Sequence, residues 1–276
     1  MSPSDGADSM RPSRCRAIRR SGSRRAQRLA ILAPLDGRVA LDARPEVRVA
    51  RLVEPEMMHA DLGRDELVVH YQPQVSADGA IKGAEALVRW SHPRYGCVPP
   101  EEFICIAEQS GVIRPLTLWV IDQALGQAAA WRRAGMDLRV SVNLSVCSLQ
   151  DRKLPGQVQK LVDKHFCDPD TVILEITESA LMSDPLTARR VMRRLSNMGF
   201  QISIDDFGTG YSSLAYLKQL PVDEIKIDRS FVTRMDRDEN DAVIVRATID
   251  LAHNLGLKVV AEGVESSDVC ELLEML

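Results

Sequence analysis

Aromatic residues are scarce in this chain, 4% of 276 positions. That is too few for the stacking platforms on which single-stranded nucleic acid is usually held. No apolar run approaches the ~18 residues that span a bilayer. The run from Leu29 to Leu35 contains Pro34 and is too short for a secretory signal. Cys15, Cys97, Cys105, Cys147, Cys167 and Cys270 form no CxxC pair. A zinc ribbon or a disulfide scaffold is thereby excluded, and the expectation is reduced, buried thiols in a cytoplasmic protein. His59, His70, His92, His165 and His253 show no HExxH or other ligand spacing. No GxGxxG follows a strand-like run and no GxxxxGK[ST] occurs, which argues against Rossmann and P-loop nucleotide sites.

What is present is unevenly placed. Residues 1–28 carry eight Arg and two Asp, whereas the chain as a whole has a formal charge of -4. The tract from Arg11 to Arg25 has no apolar periodicity and reads as disordered. It is a passive tail, an arm for anionic lipid or nucleic acid, or a stretch ahead of a true start near Met57 or Met58. The acidic remainder argues against a nucleic-acid-binding domain and is compatible with a pocket for cations.

From about residue 66 the pattern becomes regular. Seven strand-like runs are expected: Leu67–Gln72, Ile81–Arg89, Leu138–Leu144, Val172–Glu178, Gln201–Asp206, Glu224–Asp228 and Leu257–Glu262. Helical spacing fills most of the intervals. Leu118, Ile121, Leu125 and Ala128 recur within Leu116–Ala134, which Gly135 closes. Val191, Leu195 and Met198 recur within Pro185–Met198, with Arg189, Arg190, Arg193 and Arg194 on the outer face. Val245, Ile249 and Ala252 recur within Ala242–Leu255, closed by Gly256. Repeated βα units predict an α/β fold with a parallel sheet, open or closed into a barrel.

The polar residues at the strand ends are Glu85, Asn143, Glu175, Asp205 with Asp206, Lys226 and Glu262. An α/β barrel places its reactive groups at those ends. Five carboxylates cannot all stay ionised at one end without compensation. Two divalent cations together with Lys226 would balance them. Every candidate ligand offers oxygen, which suits Mg²⁺ or Mn²⁺ better than Zn²⁺. One carboxylate of the Asp205–Asp206 pair can bridge two metals while its neighbour binds the second, an arrangement suited to phosphodiester hydrolysis. Lys226, at the next strand end, could orient or deprotonate the attacking water. Gly208-Thr-Gly210 with Tyr211-Ser-Ser213 is a flexible loop directly after the pair.

These residues resemble the motif series of the EAL-domain family. The series runs Tyr71-Gln-Pro-Gln74, Glu85-Ala-Leu87 with Arg89, Asn143-Leu-Ser145, Glu175-Ile-Thr-Glu178, Asp205-Asp-Phe-Gly-Thr-Gly-Tyr-Ser-Ser-Leu214, Lys226-Ile-Asp228 and Glu262-Gly-Val-Glu265. The resemblance covers about residues 60–276. It implies a modified TIM barrel and a cytoplasmic phosphodiesterase that converts the bacterial second messenger cyclic di-GMP to linear pGpG with two Mg²⁺ or Mn²⁺. By position, Glu85, Asn143, Glu175 and Asp205 match the ligands of the first metal; Asp205, Asp206 and Glu262 match those of the second. Lys226 matches the lysine beside the attacking water, so that Lys226, Glu85, Glu262 and Glu178 form the implied catalytic set. Glu178 matches the residue that anchors the Asp-Asp-Phe-Gly loop and couples it to dimerisation. Gln72, Arg89, Asp228 and Glu265 match substrate-side positions. A homodimer is implied, with no nucleic-acid partner and no membrane span.

The resemblance also implies an eighth strand, with a glutamine, and a final helix after Glu271–Leu276. Seven strands are counted, so the expected barrel lacks closure. The expected division is a basic, disordered segment over 1–45 and an EAL domain, incomplete at its C-terminal side, over 46–276. The alternative to an active enzyme is an impaired EAL-like receptor for cyclic di-GMP, a protein-interaction module or an inactive remnant.

Overall fold

The apolar runs pair edge to edge into one sheet because each has one face for the helices and one for the interior. A computed structural model describes residues 29–32, 66–76, 78–210 and 214–276. The strands are β1 (Leu29–Leu32), β2 (Leu67–Ser76), β3 (Ile81–His92), β4 (Gly96–Val98), β5 (Arg139–Leu144), β6 (Val172–Thr177), β7 (Gln201–Phe207), β8 (Glu224–Ile227) and β9 (Lys258–Ala261). The longer helices are α1 (Pro100–Ser110), α2 (Ile113–Arg133), α4 (Leu154–His165), α6 (Pro185–Asn197), α9 (Glu239–Asn254) and α10 (Ser267–Glu274). Short helices α3 (Val146–Leu149), α5 (Glu178–Ser183), α7 (Leu214–Leu217) and α8 (Arg229–Val232) follow strand ends.

The sheet order is β2-β1-β9-β8-β7-β6-β5-β3-β4, and β2 also pairs with β3. Eight strands therefore close into a ring, with β4 attached to the far end of β3. Around the ring every pairing is parallel except those of β2, which runs antiparallel to both β3 and β1. This is the expected α/β barrel of TIM type, modified by one reversed strand.

All seven expected strands are present. Two expectations need correction. The barrel does not lack closure: Leu29, Ala30 and Ile31 pair in parallel with Val259, Val260 and Ala261, while Ala30–Leu32 pair antiparallel with Ser76–Gln74. The unpaired backbone groups that would mark β9 and β2 as edges are satisfied by this segment. Within the segment 1–45, Leu29–Leu32 form β1; the rest of it, like the proposed starts near Met57 and Met58, lies outside the described residues. Among the described cysteines only Cys167 is buried. Cys97 on β4 and Cys105 on α1 are exposed, so the expectation of buried thiols holds at one position.

The helices take their bounds from local chemistry. Asp184 accepts a hydrogen bond from the Thr187 amide (3.1 Å) and Pro185 starts α6, where its missing N–H costs nothing. Gly135 and Gly256 adopt φ of 78° and 79° just past α2 and α9, a region in which a side chain would be strained. Ile121, Leu125 and Ala128 of α2, with Val191 and Leu195 of α6, are buried against the sheet, whereas Arg190, Arg193 and Arg194 are exposed. Trp90 and Phe103 meet edge to face at 5.8 Å between centroids and close the core beside β4.

Candidate active site

Side chains alternate along a strand. Ile225 and Ile227 of β8 belong to the apolar core, which turns Lys226 into the barrel. The same parity brings Glu85 (β3), Asn143 (β5), Glu175 (β6) and Asp205 (β7) inward, with Glu262 just past β9. The structure brings these together at the C-terminal ends of the parallel strands. Lys226 is fully buried. Its Nζ lies 3.3 Å from Glu85 Oε2, 3.0 Å from Glu175 Oε2, 3.2 Å from Asp205 Oδ2 and 2.7 Å from Glu262 Oε1. Asn143 Nδ2 donates to Glu85 Oε1 at 2.9 Å.

Four carboxylates around one ammonium leave negative charge uncompensated. Burial pushes the Glu175 carboxyl well above the usual range, against the pull of Lys226 and with the push of Glu85 and Asp205. Burial likewise pushes Glu262 up to about 7, opposed by Lys226 and assisted by Asp205. For Lys226, burial disfavours the charge, but the four carboxylates outweigh it and hold the ammonium well above its usual value.

Asp206 would point away from Asp205 in a regular strand. The register of β7 against β8 shifts between Ile204 and Phe207, and Asp206 takes a left-handed φ of 53°. Such a bulge re-aims a side chain, and Asp tolerates the conformation better than most residues. Burial first, then Asp205 and Asp228, raise the Asp206 pKa.

Glu178, the first residue of α5, is buried. Its Oε2 accepts hydrogen bonds from the amides of Gly208 (3.1 Å) and Gly210 (3.3 Å). A Cβ on Gly210 would sit 2.8 Å from Glu178 Oε1, so only glycine allows this approach. Gln72 is half-buried on β2, directly across from Glu85. Arg89 lies further along β3 and donates to the Val88 carbonyl at 2.9 Å. Asp228 accepts from the Ser230 amide at 3.0 Å and caps α8. Glu265 is exposed on the segment after Glu262.

The donor set has the chemistry of a hard divalent cation site: carboxylate and amide oxygens, excess negative charge, and a buried Glu175 Oε1 with no hydrogen-bond partner. Lys226 is what gathers the carboxylate oxygens here. Among the described residues no three His, Cys, Asp or Glu side chains stand as a ready-made ligand cage.

Sequence reading missed Glu224. It lies two residues before Lys226, is buried, and stands in register with Ser203 of β7. Burial raises its pKa. The period-two spacing from Lys226 was the available signal.

The shifts fix a pH dependence. Glu175 and Glu262 have folded pKa values above their ordinary 4.5, so the folded state binds more protons than the unfolded state between pH 4.5 and about 7. Stability of the metal-free protein is therefore expected to fall as pH rises through that window. Urea midpoints in EDTA at pH 5 and pH 7.5 check this; a midpoint that rises would contradict it.

Comparison with known proteins bears on this geometry. A sequence model described as the EAL domain matches residues 56–276. "Bifunctional diguanylate cyclase/cyclic di-GMP phosphodiesterase MucR" of Pseudomonas aeruginosa is 45% identical over 217 residues, 78% of this chain and 32% of that protein. "Cyclic di-GMP phosphodiesterase PdeR" of Escherichia coli is 41% identical over 206 residues, 75% of this chain and 31% of that protein. The chain thus spans about a third of the length of these curated relatives. Among solved structures, the "PaMucR Phosphodiesterase, c-di-GMP complex" matches with TM-score 0.75 and 43% identity, covering 79% of this chain and 91% of that one. "EAL Enzyme Bd1971" in its cAMP and cyclic-di-GMP bound form matches with TM-score 0.75 and 33% identity, covering 80% and 61%.

Proposed function

The chain belongs to the EAL domain family, and on that premise we propose that it hydrolyses cyclic di-GMP to linear pGpG. Water attacks one phosphorus, the bond from that phosphorus to the 3′ oxygen breaks, and the leaving oxygen takes a proton. The observation that carries the reading is the convergence of carboxylates from three strands and from the end of a fourth on one buried lysine.

Glu85, Asn143, Glu175 and Asp205 would hold one Mg²⁺ or Mn²⁺, and Asp205, Asp206 and Glu262 a second. When bound, such cations stabilise the charge that develops on the phosphoryl group. Lys226 keeps a fixed positive charge where the attacking water must lie. Gln72, Arg89, Asp228 and Glu265 are the substrate-side residues in this reading, which also includes a cytoplasmic homodimer.

Glu178 is a positioning residue, acting through the loop that carries Asp205 and Asp206. Glu178→Ala removes the acceptor of two amides. It is expected to lower kcat about 10²-fold, the scale set by displacements of about 1 Å. It should also raise the Mn²⁺ concentration for half-maximal activity, with Glu178→Gln in between. An unchanged metal dependence would leave the loop without this role.

The decisive experiment is chromatographic. The purified chain is incubated with cyclic di-GMP and Mg²⁺ or Mn²⁺, and in parallel with EDTA. Linear pGpG only in the metal-containing reactions is the expected result. Nucleotide bound but never cleaved would overturn hydrolysis and make the protein a receptor.

A further inference from the structure

We propose that the space between β9 and β2 is a strand-receptor site, filled by residues 29–32 of the same chain, and that this strand positions Glu262 for the centre. The catalytic part rests on the phosphodiesterase reading; the strand pairing does not.

The backbone carries the argument. Val259, Val260 and Ala261 pair with β8 on one side, in register with Ile225, Lys226 and Ile227. On the other side the same residues pair with Leu29, Ala30 and Ile31. The next residue is Glu262. Its amide donates to the Ile227 carbonyl at 3.1 Å and its Oε1 meets Lys226 Nζ at 2.7 Å. On the β8 side, therefore, Glu262 is fixed by β8 itself. On the other side, β1 is the element that ends alongside it, with Leu32 in register with Gln74. Without β1, β9 and β2 would face each other across about two strand spacings, near 10 Å. That leaves backbone donors and acceptors unpaired along both, and the end of β9 supported on one side only.

β1 is also separable. Residues 33–66 lie between it and β2, whereas strands held together by a hairpin turn are joined by 2–5 residues. Its seat is thus decided by pairing with two strands distant from it along the chain, as in strand addition to a sheet edge. The segment that provides it directly follows the Arg-rich tract. The tract and the centre are thereby joined through one removable strand.

The test uses the full chain. Ala30 and Ser76 are direct register partners, so Ala30→Cys with Ser76→Cys should form a disulfide within one chain on mild oxidation. Ala30→Cys with Val75→Cys is one residue out of register, places the thiols on opposite faces and should not. Peptide mapping identifies the bond. A bond between two chains would overturn filling in cis, and no bond in either pair would overturn the receptor site. Separately, Ile31→Pro introduces a residue ill suited to a strand paired on both sides. It is expected to lower pGpG formation at least tenfold and raise the half-saturating Mn²⁺ concentration, with the helical circular-dichroism signal retained. Full activity in Ile31→Pro would overturn the positioning role. Should that variant fail to fold, the chain with Ala30→Cys and Ser76→Cys provides the second readout: its activity should persist when oxidised, and loss on oxidation would overturn β1 as part of the active arrangement. A wild-type chain that makes no pGpG would sink the catalytic reading and leave the cross-linking result standing.

Discussion

Lys226→Met is expected to abolish turnover, with kcat lowered at least ~10³-fold, and to cost about 3–5 kcal/mol of stability at pH 7. Methionine keeps most of the length and removes the charge. Glu85, Glu175, Asp205 and Glu262 would then face one another, all with side chains less than a fifth exposed. Removing one partner from a buried ion cluster is costly because the remaining charges keep their desolvation and lose their attraction. Glu175 and Glu262 escape by taking up protons, so the loss should be larger at pH 8 than at pH 5. The sign follows from carboxyls whose folded pKa lies above the unfolded one: they weaken the fold as pH rises. Millimolar Mn²⁺ should return part of the lost stability without returning turnover. Denaturation curves at the two pH values, with and without Mn²⁺, check each part, and a pH-independent loss would refute the electrostatic account.

Asp205→Asn is expected to move activity and stability in opposite directions. The substitution keeps the shape of the side chain and removes one of four negative charges around Lys226. Asp205 also raises the pKa of Glu175, Asp206 and Glu262. Relieving that repulsion should stabilise the metal-free protein by about 1 kcal/mol at pH 7. Turnover should fall at least ~10³-fold, because the carboxylate assigned to both cation positions is gone. Paired measurements of pGpG formation and urea midpoint test this. A variant both inactive and destabilised would mean that Asp205 holds the fold rather than storing strain for function.

The contrast between these variants bears on what could be read from sequence. The inward residues were legible because strand ends in a repeating βα pattern carry the chemistry, and Glu85, Asn143, Glu175, Asp205, Lys226 and Glu262 all stand there. Their mutual arrangement was not. Lys226 is legible both as a counter-charge to the carboxylates and as a partner of water, but not as the one group that meets four carboxylates at once. Asp206 was visible only as the neighbour of Asp205; its left-handed backbone depends on a register shift against β8. Leu29–Leu32 was missed for a different reason. Four residues beside an Arg-rich tract, followed closely by Pro34, show no period long enough to mark a strand. Only the backbone groups of β9 and β2, far away in the sequence, make those residues a strand.

That pairing also sets an order of events. Leu29 meets Val259, 230 positions later. During synthesis the first described strand can pair early with β2, but its other edge stays bare until almost the whole described chain has emerged. The βα units from β5 to β9 join neighbours close in sequence and can assemble progressively. Closure of the ring spans the largest loop and comes last. Until then the protein is an open, curved sheet with β1 at one bare edge, and that is the interval in which the β1 edge of one copy is most apt to pair with β9 of another.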